Sequence, residues 1–250
     1  MPAPLRFACA VPVGSWHPLL PETLASLKDQ DAWLDVAFLD ASGDPRVAEA
    51  ADASGLSFAY RREGPDAGQA AAIGEGWRET SGDVVFWLNA DDQLTPGALA
   101  RVEAAFRSRA APDLVFGASR FIDAAGVVTG THVQVRDAGA LLLRSNTISQ
   151  PSCFVRRAAV DQVGGVDETL HYVMDWDLWV RLYIAGARFM RIEETLSAVY
   201  MGERTKTGVL NAQRLGEIFA LVNANAGAWA ALKSTASLVR ETLSRRWSAQ

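Results

Sequence analysis

The hydrophobic pattern is clearest in the run VVFWL at residues 84–88, which ends abruptly at the polar turn NADD of residues 89–92. An unbroken stretch of strand-forming residues is typical of a strand that is buried on both faces, as in a parallel sheet. The pattern therefore predicts a central strand that carries Asp91 and Asp92 at its carboxyl end. In open α/β sheets, ligands bind at that end of the strands.

Two interpretations of this acidic turn remain from the pattern alone. Asp91 and Asp92 either form an ordinary polar turn or hold a divalent cation through their oxygen atoms. A helix is predicted directly after the turn, with Thr95 as its N-cap and Pro96 as its first residue. Apolar residues then recur at helical spacing as far as Phe106.

The segments on both sides of this strand alternate between strand-like and helix-like patterns. Strands are predicted at 5–13, 34–39 and 56–60, and helices at 21–28, 46–53 and 70–79. Further along the chain, the pattern predicts a strand at 113–117, a hairpin at 120–128, helices at 158–163 and 178–185, and strands at 188–192 and 196–200. This order predicts an α/β fold with a central, mostly parallel sheet flanked by helices.

Residues 209–250 have a different pattern, which predicts two helices and no strand. We therefore divide the chain into an α/β domain at 1–208 and a helical extension at 209–250. The last helix carries one apolar stripe, formed by Trp229, Leu232, Ala236, Val239, Leu243 and Trp247. Lys and Arg residues lie beside the stripe, so the helix suits an anionic membrane surface. Packing against the parent domain or a second subunit is the commoner role of such a stripe, and we expect packing here.

Composition and charge narrow the classes of function. The formal net charge is -5, which argues against nucleic acid as a partner because phosphate backbones are bound by excess Lys and Arg. Cys9 and Cys153 are far apart and have no metal-binding spacing. The sequence contains neither a membrane-spanning stretch nor a secretory signal. We therefore expect a cytoplasmic protein, with peripheral contact at the inner membrane face as an option.

Several further motifs stand in an order that resembles the GT-A glycosyltransferases of family 2. The resemblance extends over about residues 5–208, and no single motif carries it. It rests on a strand end at Asp40, the loop PDAGQ at 65–69, the block WLNADD at 87–92, the pair QP at 150–151, the segment GGVD at 164–167, and the segment MDWDLWVRL at 174–182.

The resemblance implies a GT-A, Rossmann-like fold and a nucleotide-diphosphate sugar as donor. Asp40 and Asp66 match family positions that contact the base and ribose, and Asp175 matches the catalytic base. Asp91 matches the family's Asp-X-Asp motif and would hold Mg²⁺ or Mn²⁺ against the donor diphosphate. The donor-binding residues implied in this way are Asp40, Asp66, Gln69, Asn89, Ala90 and Asp91.

The implied chemistry suits these residue types. Displacing a nucleoside diphosphate from an anomeric carbon builds negative charge on the leaving oxygen, which a divalent cation stabilises. The attacking hydroxyl loses a proton, which a positioned carboxylate such as Asp175 accepts. One base and an in-line attack give inversion, whereas a retaining hydrolase uses two carboxyls about 5 Å apart. The resemblance therefore implies an inverting transferase, and by family habit one that builds surface polysaccharide on a glycan or lipid-linked acceptor.

The chain departs from the family pattern at three places. Asn89 replaces the first acid of the Asp-X-Asp motif, and ASGDP at 41–45 replaces an acidic, Ser-rich run after Asp40. Near Tyr200 the family often has a metal-binding His, and this chain has none there. Glu203 is a candidate replacement ligand, and two nearby basic residues are candidates to close over the diphosphate, namely Arg204 and Lys206.

Two other functions remain as alternatives. A sugar nucleotidyltransferase has the same fold but needs a Gly-rich basic loop after the first strand, and residues 14–18 contain one Gly and no Lys or Arg. A catalytically inactive scaffold would explain the missing His but not the retained acids. The individual residues also have ordinary structural interpretations: Asp175 as a helix cap, Asp40 as a turn residue, Asp177 as a structural acid, and Trp176 and Trp179 as core or pocket wall.

Overall fold

The computed structural model describes residues 3–132, 134–135, 137–202 and 210–248, with side chains described as far as residue 240. The strands are β1 (Arg6–Val13), β2 (Trp33–Asp40), β3 (Phe58–Glu63), β4 (Val84–Trp87), β5 (Gln93–Leu94), β6 (Leu114–Ile122), β7 (Val128–His132), β8 (Cys153–Arg156) and β9 (Phe189–Tyr200). The helices are α1 (Leu20–Lys28), α2 (Pro45–Ala53), α3 (Gln69–Arg78), α4 (Ala98–Phe106), α5 (Arg157–Gln162), α6 (Met174–Ile184), α7 (Ala212–Ala226) and α8 (Ala228–Ser248). Two 3₁₀ helices lie at Gly139–Leu143 and Gln150–Ser152.

These strands form one mixed sheet in the order β3-β2-β1-β4-β8-β6-β9-β5, and β7 pairs with β6 outside this path. The first four strands of that order pair in parallel. β8 is antiparallel to both of its neighbours, so β6 runs in the same direction as β4. The predicted α/β fold with a mostly parallel central sheet is confirmed, because six of the nine strands in the described chain share one direction.

Helices cover both faces of the sheet, which explains why its central strands are apolar throughout. Successive strand residues point to opposite faces. In β1, Phe7 and Cys9 therefore join one core cluster, while Ala8 and Ala10 join the other. On the face of the sheet formed by Ala8 and Ala10, helix α3 packs closely against the strand. A Cβ atom added at Gly76 of this helix would lie only 2.9 Å from the Ala10 Cβ atom.

The structure differs from the sequence prediction at four places, and pairing between distant strands accounts for β5, β8 and β9. The prediction of Thr95 as a helix N-cap was wrong: α4 begins at Ala98 after Gly97, whose φ is 71°. Thr95 instead follows β5 and donates its hydroxyl to the Thr195 carbonyl at 2.7 Å. β8 was missed, α6 begins four residues before the predicted start, and the two predicted strands after it are one strand, β9.

The two C-terminal helices pack on the domain, but not through the predicted stripe. Ala231 of α8 is fully buried, whereas Trp229 is 70% exposed and Leu232 is 53% exposed. Trp229 and Leu232 therefore do not pack on the parent domain, because the neighbouring face of the helix makes that contact, and packing of the stripe on a second subunit stays a prediction. No helix in the described chain is long and apolar enough to span a bilayer. The boundary at residue 208 stays a prediction.

Candidate functional site

The predicted site residues lie at the carboxyl ends of neighbouring parallel strands. Asp40 is the last residue of β2 and is buried. Its Oδ1 atom accepts hydrogen bonds from the Ser42 amide at 2.8 Å and the Ser42 hydroxyl at 2.6 Å. This geometry is that of an Asx turn. Asp40 thus closes the turn after β2, and its contact with a nucleotide base stays a prediction.

The second predicted segment is the loop before α3, and ionic contacts hold it. Asp66 accepts a hydrogen bond from the Gly68 amide at 2.8 Å and forms an ion pair with Arg62 at 3.2 Å. Arg62 also pairs with Glu75 of α3 at 2.8 Å. Because both ends of the loop are tied to neighbouring elements, Asp66 is held in one place beside the edge of the sheet.

Gln69 connects this loop to the turn after β4. It is the first residue of α3, and its Nε2 atom donates to the Asn89 side-chain oxygen at 2.6 Å. The Asn89 Nδ2 atom in turn donates to Asp92 at 2.9 Å and approaches the Gln150 side-chain oxygen at 3.4 Å. The structure therefore brings Gln69, Asn89, Asp92 and Gln150 together in one polar network.

The network gives a physical reason for the asparagine in the Asp-X-Asp motif. Asp92 is buried and takes a hydrogen bond from the Asn89 amide group. A carboxylate at position 89 has no proton to donate at neutral pH, and it would place a second negative charge against Asp92. Asn89 is therefore the residue type that the buried Asp92 requires.

Asp91 and Asp92 form a carboxylate pair with little solvent. Burial raises the pKa of Asp92 well above its usual range, and the charge of Asp91 raises it further, against hydrogen bonds from Asn89 and the Tyr200 backbone. Burial also raises the pKa of Asp91, while the positive charge of His17 lowers it. A cation near Asp91 would offset the charge that disfavours ionisation of Asp92.

The oxygen donors of this turn fit a hard divalent cation. Asp91 and its neighbours offer carboxylate and carbonyl oxygens, which Mg²⁺ and Mn²⁺ prefer. No group of three or more His, Cys, Asp or Glu side chains in the described residues surrounds a metal position. Mg²⁺ is commonly held by one or two carboxylates together with substrate phosphates and water, so Asp91 is enough protein for such a site.

His17 is a site residue that sequence reasoning missed. It lies in the loop after β1, its Nδ1 atom accepts from the Leu19 amide at 3.2 Å, and its ring packs 4.8 Å from the ring of Tyr200. The order of the strands in the sheet would have identified this residue. Since β1 lies between β2 and β4, the loop that follows it opens at the same edge as Asp40 and Asp91.

Asp175 is the second residue of α6, and the N-cap position belongs to Val173. The interpretation of Asp175 as a helix cap is therefore wrong. Asn146 donates to its Oδ2 atom at 2.8 Å. Burial raises the pKa of Asp175, while hydrogen bonds from Trp176 and Asn146 and the positive charge of Arg214 lower it.

The segment 150–153 links Asp175 with the acidic turn. Gln150 donates to the Trp87 carbonyl at 2.7 Å and approaches Asn89. Burial raises the pKa of the Cys153 thiol, and the nearby charge of Asp175 raises it further. One short segment therefore contacts the turn after β4 at one end, and at the other it carries a thiol on which the charge of Asp175 acts.

The other residues named from the sequence have structural contacts or lie outside the description. Asp177 forms an ion pair with Arg181 at 2.7 Å, as expected for a structural acid. Trp176 and Trp179 are buried in the core cluster that α6 covers. Three candidate residues for the metal and diphosphate lie outside the described residues, namely Glu203, Arg204 and Lys206.

Comparisons with known proteins point to one family. A family model described as glycosyl transferase family 2 matches residues 14–163, which is more than half of the chain. The O-antigen biosynthesis protein RfbC of Myxococcus xanthus is 34% identical over 127 residues, which are 51% of this chain and 10% of RfbC.

Solved structures show the same fold at low sequence identity. TarS 1-349 of S. aureus in complex with UDP-GlcNAc has a TM-score of 0.67 and 16% identity, covering 94% of this chain and 72% of that one. The mannosyltransferase PcManGT of Pyrobaculum calidifontis, in complex with GDP-Man and Mn²⁺, has a TM-score of 0.62 and 15% identity, covering 97% and 76%. This chain spans 44% of another TarS structure, so it matches only part of its longer relatives.

Proposed function

The chain belongs to glycosyl transferase family 2 and is a glycosyltransferase, and we propose that it moves a sugar from a nucleotide-diphosphate sugar to an acceptor hydroxyl with inversion. The observation that carries this proposal is the polar network that joins Gln69, Asn89, Asp92 and Gln150 at the turn after β4, with Asp175 close enough for its charge to act on Cys153 in the same segment as Gln150. This arrangement supports a donor site and a base at one edge of the sheet.

We propose that the donor lies over the turn after β4. Two structural neighbours have bound donors, UDP-GlcNAc in TarS and GDP-Man in PcManGT. In this chain, Asp40 and Asp66 would contact the nucleoside, while Gln69 and the turn 89–91 would meet the diphosphate. The hydrogen bond from Gln69 to Asn89 supports the assignment, because it holds the loop and the turn together as one surface.

Asp91 would hold Mg²⁺ or Mn²⁺. When bound, the cation supplies positive charge for the departing nucleoside diphosphate. Asp92 has a supporting role. Its buried carboxyl group accepts a hydrogen bond from Asn89 and so fixes the shape of the turn. The raised pKa of Asp92 supports a cation at the turn, since a nearby positive charge relieves the repulsion between the two acids.

Asp175 would accept the proton of the attacking hydroxyl. The Asn146 amide occupies one of its oxygens and fixes the orientation of the carboxyl group. A raised pKa makes a carboxylate a better proton acceptor than an ordinary aspartate, provided that it remains ionised at the working pH. A single base acting in line with the leaving group gives inversion at the anomeric carbon.

We propose that the acceptor is a glycan or lipid-linked sugar of a surface polysaccharide. The match to RfbC, which is named for O-antigen biosynthesis, supports this class over half of the chain. A lipid-linked acceptor would place the enzyme at the cytoplasmic face of the membrane. The exposed Trp229 and Leu232 of α8 support a peripheral membrane contact there, and a homodimer through the same face is the other candidate.

Thermal unfolding with a panel of nucleotides tests the donor site. We expect one of UDP, GDP, dTDP and CDP, together with Mn²⁺, to stabilise the chain by about 2.7 kcal/mol at a hundredfold excess over its Kd. Asp91→Ala should remove the Mn²⁺-dependent part of the shift. Asp113→Asn, at the amino end of β6 on the opposite edge of the sheet, is the matched control and should keep it.

Each other outcome has a definite meaning. A shift that does not require Mn²⁺ would remove the cation from the proposal and keep the transferase. No shift with any of the four nucleotides would contradict the donor site and favour a binding protein without activity.

A further inference from the structure

A carboxylate on α7 binds the backbone that precedes α6. The Glu217 carboxylate accepts hydrogen bonds from three consecutive backbone amides. Its Oε1 atom lies 3.2 Å from His171 N, and its Oε2 atom lies 2.7 Å from Tyr172 N and 3.3 Å from Val173 N. Bonds from amides to an ionised carboxylate are stronger than those to neutral acceptors. The turn at 171–173 is therefore held by a residue 44 to 46 positions further along the chain.

The contact between Glu217 and this turn matters for the candidate active site because the turn leads directly into the helix that carries Asp175. α6 begins at Met174, and Asp175 follows directly. The N-cap residue Val173 makes no side-chain capping bond, and within the first turn the Asp175 carboxyl group itself accepts a hydrogen bond from the Trp176 amide. A negative charge at this position is also favoured by the helix dipole. Glu217 thus binds the N-cap amide from α7, as a Glu in the first turn does in a capping box.

A second residue of α7 acts on the carboxyl group itself. Arg214 lies one helical turn before Glu217, and residues three apart share a helix face. Its positive charge lowers the pKa of Asp175, against the effect of burial. Asn211 caps α7 by accepting from the Arg214 amide at 2.8 Å, and it also donates to the Tyr172 hydroxyl. The start of α7 and the turn before α6 are therefore joined at several points.

We propose that the first two turns of α7 position the catalytic base: Glu217 fixes the backbone that carries Asp175, and Arg214, whose amide is capped by Asn211, brings a positive charge to the same side of the site. This inference rests on the proposed function, in which Asp175 is the base. Glu217 contacts backbone amides outside the reacting atoms, so it is a positioning residue. The helical extension predicted at 209–250 would then contain part of the catalytic unit.

The other groups near Asp175 allow the effect of the Arg214 charge on its ionisation to be measured separately. Asn146 is neutral and donates one hydrogen bond. Cys153 of β8 is a thiol whose pKa is raised by burial and by Asp175, so it stays uncharged at neutral pH. Arg214 is the charged side chain from α7. Removing its charge should therefore change the titration of Asp175, because Arg214 is the one charged side chain found to act on it among the residues that the structure describes.

The test uses Glu217→Gln in the full chain. We measure release of nucleoside diphosphate from UDP-GlcNAc or GDP-mannose with Mn²⁺, using the donor that the wild-type chain turns over. Because one amide oxygen cannot replace a carboxylate on three amides, Glu217→Gln should lower kcat by about tenfold or more, with KM for the donor within about twofold. Glu103→Gln is the matched control, since this α4 carboxylate also accepts a distant amide, from Leu5 at 3.1 Å.

Arg214→Gln tests the charge effect with a readout that needs no turnover. The carboxyl ¹³C signal of Asp175, assigned by its loss in Asp175→Asn, should titrate at higher pH in Arg214→Gln than in the wild-type chain. The acid limb of the kcat profile should move in the same direction. Arg214→Lys keeps a positive charge and should restore both readouts towards the wild-type values.

The outcomes separate this inference from the proposed function. The role of α7 would be overturned if Glu217→Gln had the kcat and pH profile of the wild-type chain. It would also be overturned if the titration of Asp175 were unchanged in Arg214→Gln. Activity in Asp175→Asn, or no turnover of any donor by the wild-type chain, would instead overturn the proposed function. If Glu217→Gln does not fold by circular dichroism, the Arg214→Gln titration decides the inference.

Discussion

At Asp175, burial and hydrogen bonding act in opposite directions on one carboxyl group. Burial has the larger effect, so the pKa of this group lies above the usual range of an aspartate. If Asp175 is the base, turnover requires its ionised form. We therefore predict that kcat falls on acidification at a higher pH than an exposed aspartate would give, and that Asp175→Asn abolishes turnover. A pH–rate profile and the variant's single-turnover rate check both statements.

The same pKa shift has a consequence for stability. Protonated Asp175 favours the folded state, so its contribution is present at low pH and is lost as the pH rises through the folded pKa. Asp175→Asn should therefore raise Tm at neutral pH, and the gain should shrink towards acidic pH. A variant that is inactive and destabilised at neutral pH would contradict this account, because it would indicate structural damage.

The identity of the site residues was readable from the sequence, but their partners were not. Asp91 and Asp175 stand in motifs whose position in the chain is enough to select them. The roles of Asn89 and Glu217 depend on residues far away in the sequence, Gln150 in one case and the turn at 171–173 in the other. Hydrophobic periodicity carries no information about such contacts, because a polar side chain chooses its partner in three dimensions.

At the scale of single elements, α8 exposes two residues of its apolar stripe to solvent near its start. Trp229 and Leu232 are exposed, and Lys233 lies over the Trp229 ring at 5.2 Å. An amphipathic helix with basic residues beside exposed apolar ones binds anionic bilayers. We predict that the chain sediments with vesicles containing phosphatidylglycerol, and that Trp229→Ser with Leu232→Ser weakens binding at least about tenfold, since each buried apolar side chain contributes roughly 1.5–3 kcal/mol.

A matched control distinguishes membrane binding through α8 from nonspecific binding of exposed apolar residues. Val127 and Val128 are also exposed, at the hairpin between β6 and β7, and replacing both with Ser should leave vesicle binding unchanged. High salt should weaken the wild-type interaction, because surface charge attraction is screened. If light scattering shows a dimer that the α8 double variant dissociates, while vesicles bind equally well, the stripe joins two copies instead.

Helices and parallel strands were predicted well because their patterns are local. β1, β2 and α1 agree with the sequence pattern to within one or two residues, since a buried strand and an amphipathic helix each carry their own period. β5 and β8 have two and four residues and exist because they pair with distant strands. β4 is as short as β8, but its uninterrupted apolar run made it visible in the sequence.

For the whole molecule, the sheet order sets an order of folding. β1 and β2 pair across about 27 residues, whereas β4 and β8 pair across about 72. Contacts that close short loops lose less entropy and form sooner. We predict that pulse-labelled hydrogen exchange during refolding protects amides of β1 and β2 before those of β8. Simultaneous protection of all four central strands would contradict this order.

The antiparallel strand β8 also has a consequence for synthesis in the cell. It fills the gap between β4 and β6, and about 70 residues separate the end of β4 from its own end. At about 5–20 residues per second, a ribosome needs roughly 4–14 s to add them. During that interval the apolar edge of β4 is unpaired and open to other chains. The nascent polypeptide is therefore a natural client for a chaperone that shields strand edges until residue 156 emerges.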